Sequence, residues 1–187
     1  MNLYEIRDKA LRSGRAVFSV QQLANLISSS KLTAKVYASR LVRKKLARRL
    51  VRGKIAFTND DYVVATQLIE PAYISLYSAL LMHQLIQQVP ADIECVTPKV
   101  ARRLPGVGVN YHRIPSSLFF GFERVKADND YYFLAIPEKA LIDGLYLRAY
   151  SKSTVAELMK KINRRRLNQL LDKIPEKTRK RIEGEMK

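Results

Sequence analysis

Two histidines, one cysteine and seventeen carboxylates are all that this 187-residue sequence offers for acid–base, nucleophilic or metal chemistry. Their spacing assembles no reaction centre. Metal-dependent cleavage of nucleic acid needs clustered carboxylates to hold magnesium. Asp92, Glu94, Glu123, Asp128, Asp130, Glu138 and Asp143 instead fall on different predicted elements. His83 lies in an apolar predicted helix, and His112 stands beside Tyr111 and Arg113 on a predicted strand. Neither has a ligand-type neighbour at metal-binding spacing. Cys95 sits in a predicted strand, where it packs as a small hydrophobe. One cysteine allows no internal disulfide and no multi-thiolate metal site. Gly106-Val107-Gly108 lacks the third glycine and the following helix of a dinucleotide loop, and reads as a turn. No catalytic residue, metal or cofactor is expected.

What the sequence does offer is cations. There are 34 Lys and Arg against 17 Asp and Glu, a net charge of +17. An excess of this size points to a polyanionic partner: DNA, RNA or an anionic membrane. The charge is unevenly placed. Residues 1–65 carry 14 basic and 4 acidic side chains, residues 66–150 carry 8 of each, and residues 151–187 carry 12 and 5. A basic head and a basic tail flank a neutral middle, which suggests two functions, one independent of charge. At 47% hydrophobic residues the chain can bury a core. The uncharged stretch 71–91 contains Gln84, Gln87, Gln88 and His83 and closes at Pro90, so a buried helix is expected rather than a membrane span. Residues 1–15 intersperse charges among apolar positions, unlike a secretory leader. A cytoplasmic location is expected, and no membrane partner.

The elements that must position these cations follow from periodicity. Leu3, Ile6, Ala10 and Leu11 recur at helical spacing within residues 2–12. Ala16-Val17-Phe18 is a candidate short strand. Ser19 and Gln22 form a capping-box pattern that opens a second helix, with Val20, Leu23, Ala24 and Ile27 on its apolar face. Ser28-Ser29-Ser30 ends it. A third helix is predicted from an N-cap at Thr33, with Val36, Leu41 and Val42 toward one side and Lys35, Ser39, Arg40 and Arg43 toward another. Residues 46–51 and 54–57 then form two apolar-rich runs joined by Arg52-Gly53, a hairpin signal. A third short run, Tyr62-Val63-Val64, follows the Asp60-Asp61 turn.

Helix, helix, turn, basic helix and basic hairpin is the order of a winged helix-turn-helix, predicted over residues 1–66. A helix fits the major groove, and its polar residues meet base edges. Thr33, Lys35, Tyr37, Ser39, Arg40 and Arg43 are the candidates to lie near bases. Lys44, Lys45, Arg48, Arg49, Arg52 and Lys54 are the candidates to neutralise phosphates. The alternative is a solvated basic face on an ordinary helix. Interleaved aromatics of the RNA-recognition type are not seen.

After a linker at 68–71, a helix is predicted over 73–87, with Ser75 near its start. Strands are predicted at 93–97 and 109–114, and a hairpin from 119–126 and 131–136 turning at Asp128-Asn129-Asp130. Pro137 opens a helix to about Tyr146. Helices at 154–162, 164–174 and 176–186 complete a helical C-terminus. Arg164, Arg165, Arg166, Lys177, Arg179, Lys180 and Arg181 form a possible second basic patch there. Its alternatives are a second contact to nucleic acid and a solvated helix bundle.

The sequence resembles the AbiEi antitoxins of type IV toxin–antitoxin, or abortive infection, systems over nearly its whole length. The likeness lies in residues 73–80 (YISLYSAL), in Arg113-Ile114-Pro115 with 118–122 (LFFGF), and above all in 136–143 (IPEKALID). It implies a two-part antitoxin. The winged helix would repress the system's own promoter, and an α+β C-terminal domain would counteract a nucleotidyltransferase-like toxin encoded next door. Antitoxins of this type act without a stable complex with the toxin. The motif Pro137, Glu138, Lys139, Ala140, Leu141 and Asp143 also has a structural reading: proline at a helix start, an acid complementing the helix dipole, and an apolar face.

The expectation is therefore a mixed α/β, or α+β, protein. It would have a DNA-binding domain over 1–66, an antitoxin-like domain over 70–187 and a basic helical tail over 151–187. The partners would be double-stranded promoter DNA and the toxin. Oligomeric state stays open, a dimer on DNA being one arrangement. The rival is a winged-helix regulator whose second domain senses a ligand or dimerises, with no toxin.

Overall fold

The computed structural model describes residues 1–128 and 130–186. Asn129, in the expected hairpin turn, and Lys187, at the end of the basic tail, lie outside the described residues. The chain is α+β and divides into two compact units, Met1–Glu70 with Lys126–Tyr132, and Pro71–Val125 with Phe133–Lys187.

In the first unit, α1 (Leu3–Arg12) opens on a reciprocal capping box in which Asn2 accepts from the Glu5 amide and Glu5 accepts from the Asn2 amide, both at 2.9 Å. β1 (Val17–Ser19) runs straight into α2 (Val20–Leu26), where Ser19 and Gln22 form the second capping box. α3 (Lys31–Arg43) begins earlier than its sequence suggests. Ser30, not Thr33, is the N-cap: its extended backbone aims Oγ at the Thr33 amide, 3.1 Å away. Thr33 is thus inside the first turn. The buried face of α3 is Ala34, Ala38 and Leu41, whereas Val36 is exposed. The alanine stripe allows α3 to pack closely on α2 around a core that includes Ile6, Leu23, Ala24, Ile27 and Ile55.

β2 (Arg48–Val51) and β3 (Lys54–Ala56) form the hairpin, with Gly53 at φ 78° in the turn. β1 pairs antiparallel with β3, giving the order β1-β3-β2. The run Tyr62-Val63-Val64 is helical, lying in α4 (Asp61–Leu68), because Asp60 caps the Tyr62 and Val63 amides. Inside this unit the buried Gln67 Oε1 accepts from the Ala16 and Val17 amides at 2.8 and 3.2 Å.

The second unit is built on a mixed six-stranded sheet. Its strands are β4 (Tyr73–Ile74), β5 (Ile93–Thr97), β6 (Arg102–Leu104), β7 (Val109–Arg113), β8 (Phe122–Ala127) and β9 (Asp130–Ala135), in the order β6-β7-β5-β4-β9-β8. β4 is antiparallel to β5 and parallel to β9, and β5 is parallel to β7. The helix expected over 73–87 is corrected. Tyr73–Ile74 is a strand, and α5 covers only Leu76–Met82. Pairing of Ile74 with Cys95 and Leu134 outweighs local helical spacing. β6, two exposed arginines and a leucine without alternation, was not expected and forms as an edge on β7.

α6 (Pro137–Leu147) starts on its proline. α7 (Lys152–Lys161), α8 (Arg164–Leu171) and α9 (Glu176–Glu185) follow. Among the described residues no helix is long and apolar enough to cross a membrane.

Candidate nucleic-acid interface

The first unit presents α3 by its buried alanine stripe. At 100° per residue, the face opposite Ala34, Ala38 and Leu41 is Leu32, Val36, Ser39, Arg40 and Arg43. All five are exposed, as are Thr33 and Lys35 on the flanks. Tyr37 is half-buried and donates its hydroxyl to the Met1 carbonyl at 3.2 Å, so it lies on the α1 side of the helix. Lys44 and Lys45 continue the exposed cations past the end of α3. α3 contains no acid. Three of the unit's acids are turned to its own arginines instead: Asp8 to Arg7, Asp61 to Arg48 and Glu70 to Arg15.

The hairpin cations fall into two sets. Arg49 and Arg52 are exposed and make no ion pair among the described residues. With Lys35 and Ala38 they border a groove of about 320 Å³ between α3 and the hairpin. Arg48 and Lys54 are engaged by the protein itself. Arg48 Nη2 lies 2.5 Å from Asp61 Oδ1, and Lys54 Nζ donates to the Leu68 carbonyl. Sequence shows six phosphate candidates of equal standing; the structure leaves Lys44, Lys45, Arg49 and Arg52 as the exposed ones.

The tail cations of the second unit divide in the same way. Arg166 reaches Glu123 at 3.3 Å. Arg179 bonds Asp172 and Glu183 at 2.6 and 2.7 Å, and Lys180 meets Glu176 at 2.6 Å. Arg181 lies 4.5 Å over the Tyr146 ring and donates to its carbonyl. Arg164, Arg165 and Lys177 are exposed and have no ion pair among the described residues. Seven cations in sequence are thus not one uniform patch.

The 136–143 motif is packed inside the second unit. Glu138 through Leu145 are all buried. Glu138 Oε1 accepts the Asn163 amide at 3.0 Å, fastening the start of α8 to the start of α6. Lys139 Nζ contacts the Asp143 carboxylate and sits 5.5 and 5.4 Å from the Tyr73 and Phe120 ring centres. The other oxygen of Asp143 accepts from Tyr73 Oη at 2.9 Å and Ser75 Oγ at 2.7 Å. Burial pushes the Lys139 pKa down, against the pull of Asp143. Burial, then Asp143, pushes the Tyr73 phenol well up. Tyr73, Ser75, Lys139 and Asp143 are each 0% exposed. These contacts tie α6 to Tyr73 of β4 and to Ser75, which follows it. Sequence reasoning did not connect Tyr73 or Ser75 to this set, since the partners lie some seventy positions apart.

His83 is satisfied by the Ala135 carbonyl at 2.8 Å. His112 stands 3.6 Å from Glu94. Cys95 is fully buried, and burial followed by the Glu94 charge raises its thiol pKa. Among the described residues no group of His, Cys, Asp and Glu is placed to hold a metal. No protein-family model matches this chain, and a search of curated proteins returns no match.

Proposed function

We propose that the first unit is a winged helix-turn-helix that binds double-stranded DNA and represses its own operon. The chain would act as an AbiEi-like antitoxin against a nucleotidyltransferase-like toxin encoded beside it. One observation carries the DNA-binding part. α3 turns an acid-free face bearing Lys35, Ser39, Arg40 and Arg43 to solvent, beside a hairpin whose Arg49 and Arg52 are exposed and make no ion pair among the described residues. A helix of this kind enters the major groove, and a neighbouring hairpin reaches the flanking backbone. The antitoxin part rests only on the sequence resemblance, in residues 73–80, 113–115, 118–122 and above all 136–143. The second unit would keep its fold through that motif and contact no substrate with it.

The test is a gel-shift titration with the DNA just upstream of the coding sequence, against a scrambled duplex of equal length at near-physiological salt. Preference for the upstream DNA is the expected result. Equal, strongly salt-dependent binding to both would leave only a general polyanion binder. Relief, by co-expression of this protein, of growth arrest caused by the adjacent open reading frame tests the antitoxin half.

A further inference from the structure

We infer that Leu32 and Val36 read thymine methyl groups from the outer ridge of α3. This deepens the DNA-binding reading and rests on it. Leu32 is 75% exposed and Val36 49% exposed. Single exposed apolar residues are ordinary. These two are not scattered. They stand four positions apart, so they stack on one side of the helix. That side lies opposite the buried Ala34, Ala38 and Leu41, which makes it the part of α3 farthest from the core. Around them are the exposed Lys35, Ser39, Arg40 and Arg43. An apolar ridge between cations suits a surface with anionic walls and an apolar spot on its floor.

The major groove is such a surface. Phosphates line both sides, and the thymine C5-methyl is the apolar group that base edges expose there. Leu32 lies in the first turn of α3, the end that meets base edges in this mode of docking. Four residues of helix advance about 6 Å, close to two base-pair steps of about 3.4 Å. Two thymines about two steps apart are therefore the preferred floor. A second copy of this chain is a poor occupant, because it would bring Lys35, Arg40 and Arg43 against their own like charges.

The experiment compares three duplexes: the upstream DNA, the same DNA with every thymine replaced by deoxyuridine, and a scrambled control. Deoxyuridine removes the methyl and keeps the pairing and acceptor pattern. Wild-type protein should lose affinity for the deoxyuridine duplex by about fourfold per contacted methyl, about fifteenfold for two. The Leu32→Ala/Val36→Ala protein should bind thymine and deoxyuridine duplexes equally, with an unchanged salt slope. Alanine at exposed helical positions preserves α3. A preference for upstream DNA with no deoxyuridine effect overturns the inference and spares the DNA-binding reading. A deoxyuridine effect that survives in the variant assigns the methyl contact elsewhere and also overturns it. So does a wild-type dimer that Leu32→Ala/Val36→Ala converts to monomer with DNA binding intact. No preference for upstream over scrambled DNA overturns both.

Discussion

Lys139 and Asp143 stand one turn apart on α6, both 0% exposed, with ammonium and carboxylate in contact. Ion pairs at this spacing belong on solvated helix faces, where each contributes a few tenths of a kcal/mol. Here the pair is desolvated, and Tyr73 and Ser75 fill the remaining carboxylate oxygen. A buried pair of this kind is costly to break because the surviving charge has no water.

Asp143→Asn is the direct way to break it. Asparagine keeps an acceptor for Tyr73 and Ser75 but leaves the Lys139 charge uncompensated. The expected loss is about 3–5 kcal/mol of unfolding free energy in urea titration. Lys139→Met/Asp143→Leu, which removes both charges, should lose less than the two single changes summed. Additive losses would show that the two charges do not act as a pair.

Two helical glycines separate packing from propensity. A Cβ on Gly144 would fall 1.9 Å from the Tyr150 ring, which donates its hydroxyl to the Ala140 carbonyl and packs edge-on against Tyr77. A Cβ on Gly184 would meet nothing within 4 Å. Gly144→Ala should destabilise by roughly 1–3 kcal/mol despite alanine's better helix propensity. Gly184→Ala should be neutral or stabilise by up to about 1 kcal/mol, less if the helix end frays. Thermal unfolding of both variants distinguishes the cases, and a stable Gly144→Ala would mean that Tyr150 relocates freely.

How much of this was legible depends on whether the cause is local. The Ser19–Gln22 capping box and the Pro137 helix start are complete within four residues, and both form where the pattern places them. β4 is two residues long and exists because Ile74 pairs with Cys95 and Leu134, contacts that no window on residues 73–87 contains. The candidate interface divides in the same way. The cations are plain in the sequence, but whether one is free depends on remote partners. Arg48 finds Asp61 and Lys54 finds the Leu68 carbonyl, while Arg49 and Arg52 remain exposed. The exposed pair of Leu32 and Val36 is hidden in the sequence for a related reason. Residue size points to Val36, Leu41 and Val42 as the apolar side of α3, whereas the smaller Ala34 and Ala38 occupy the core with Leu41.

Asp130 should make stability pH-dependent. Partial burial, then the negative charge of Asp60, raises its carboxyl pKa above the ordinary value of 3.8. The folded protein therefore holds this proton more tightly than the unfolded chain. Its contribution is fully present below the unfolded pKa and is lost as pH rises through the raised folded value. At pH 7 the ionised group is a net penalty, which Asp130→Asn removes. The variant should be more stable than wild type at pH 7, by less than about 1 kcal/mol because the group is partly solvated. The difference should vanish toward pH 3. Urea titrations at both pH values check it, and a pH-independent difference would point to a change in packing instead.

The two sets of hairpin cations give the proposed DNA interface its sharpest quantitative test. Each phosphate neutralised contributes about 0.9 to the slope of log affinity against log salt. Arg49 and Arg52 face solvent and make no ion pair among the described residues, so Arg49→Ala/Arg52→Ala should flatten the slope by about 1.8 and weaken upstream and scrambled DNA alike. Arg48 and Lys54 already direct their charges to Asp61 and to the Leu68 carbonyl. Arg48→Ala and Lys54→Ala should leave the slope unchanged and show instead as small losses of stability, about 1 kcal/mol or less for the partly solvated Arg48–Asp61 pair. A flattening by Lys54→Ala equal to that of Arg52→Ala would mean that the lysine leaves its carbonyl for a phosphate. The whole hairpin, and not only its exposed arginines, would then be the backbone contact.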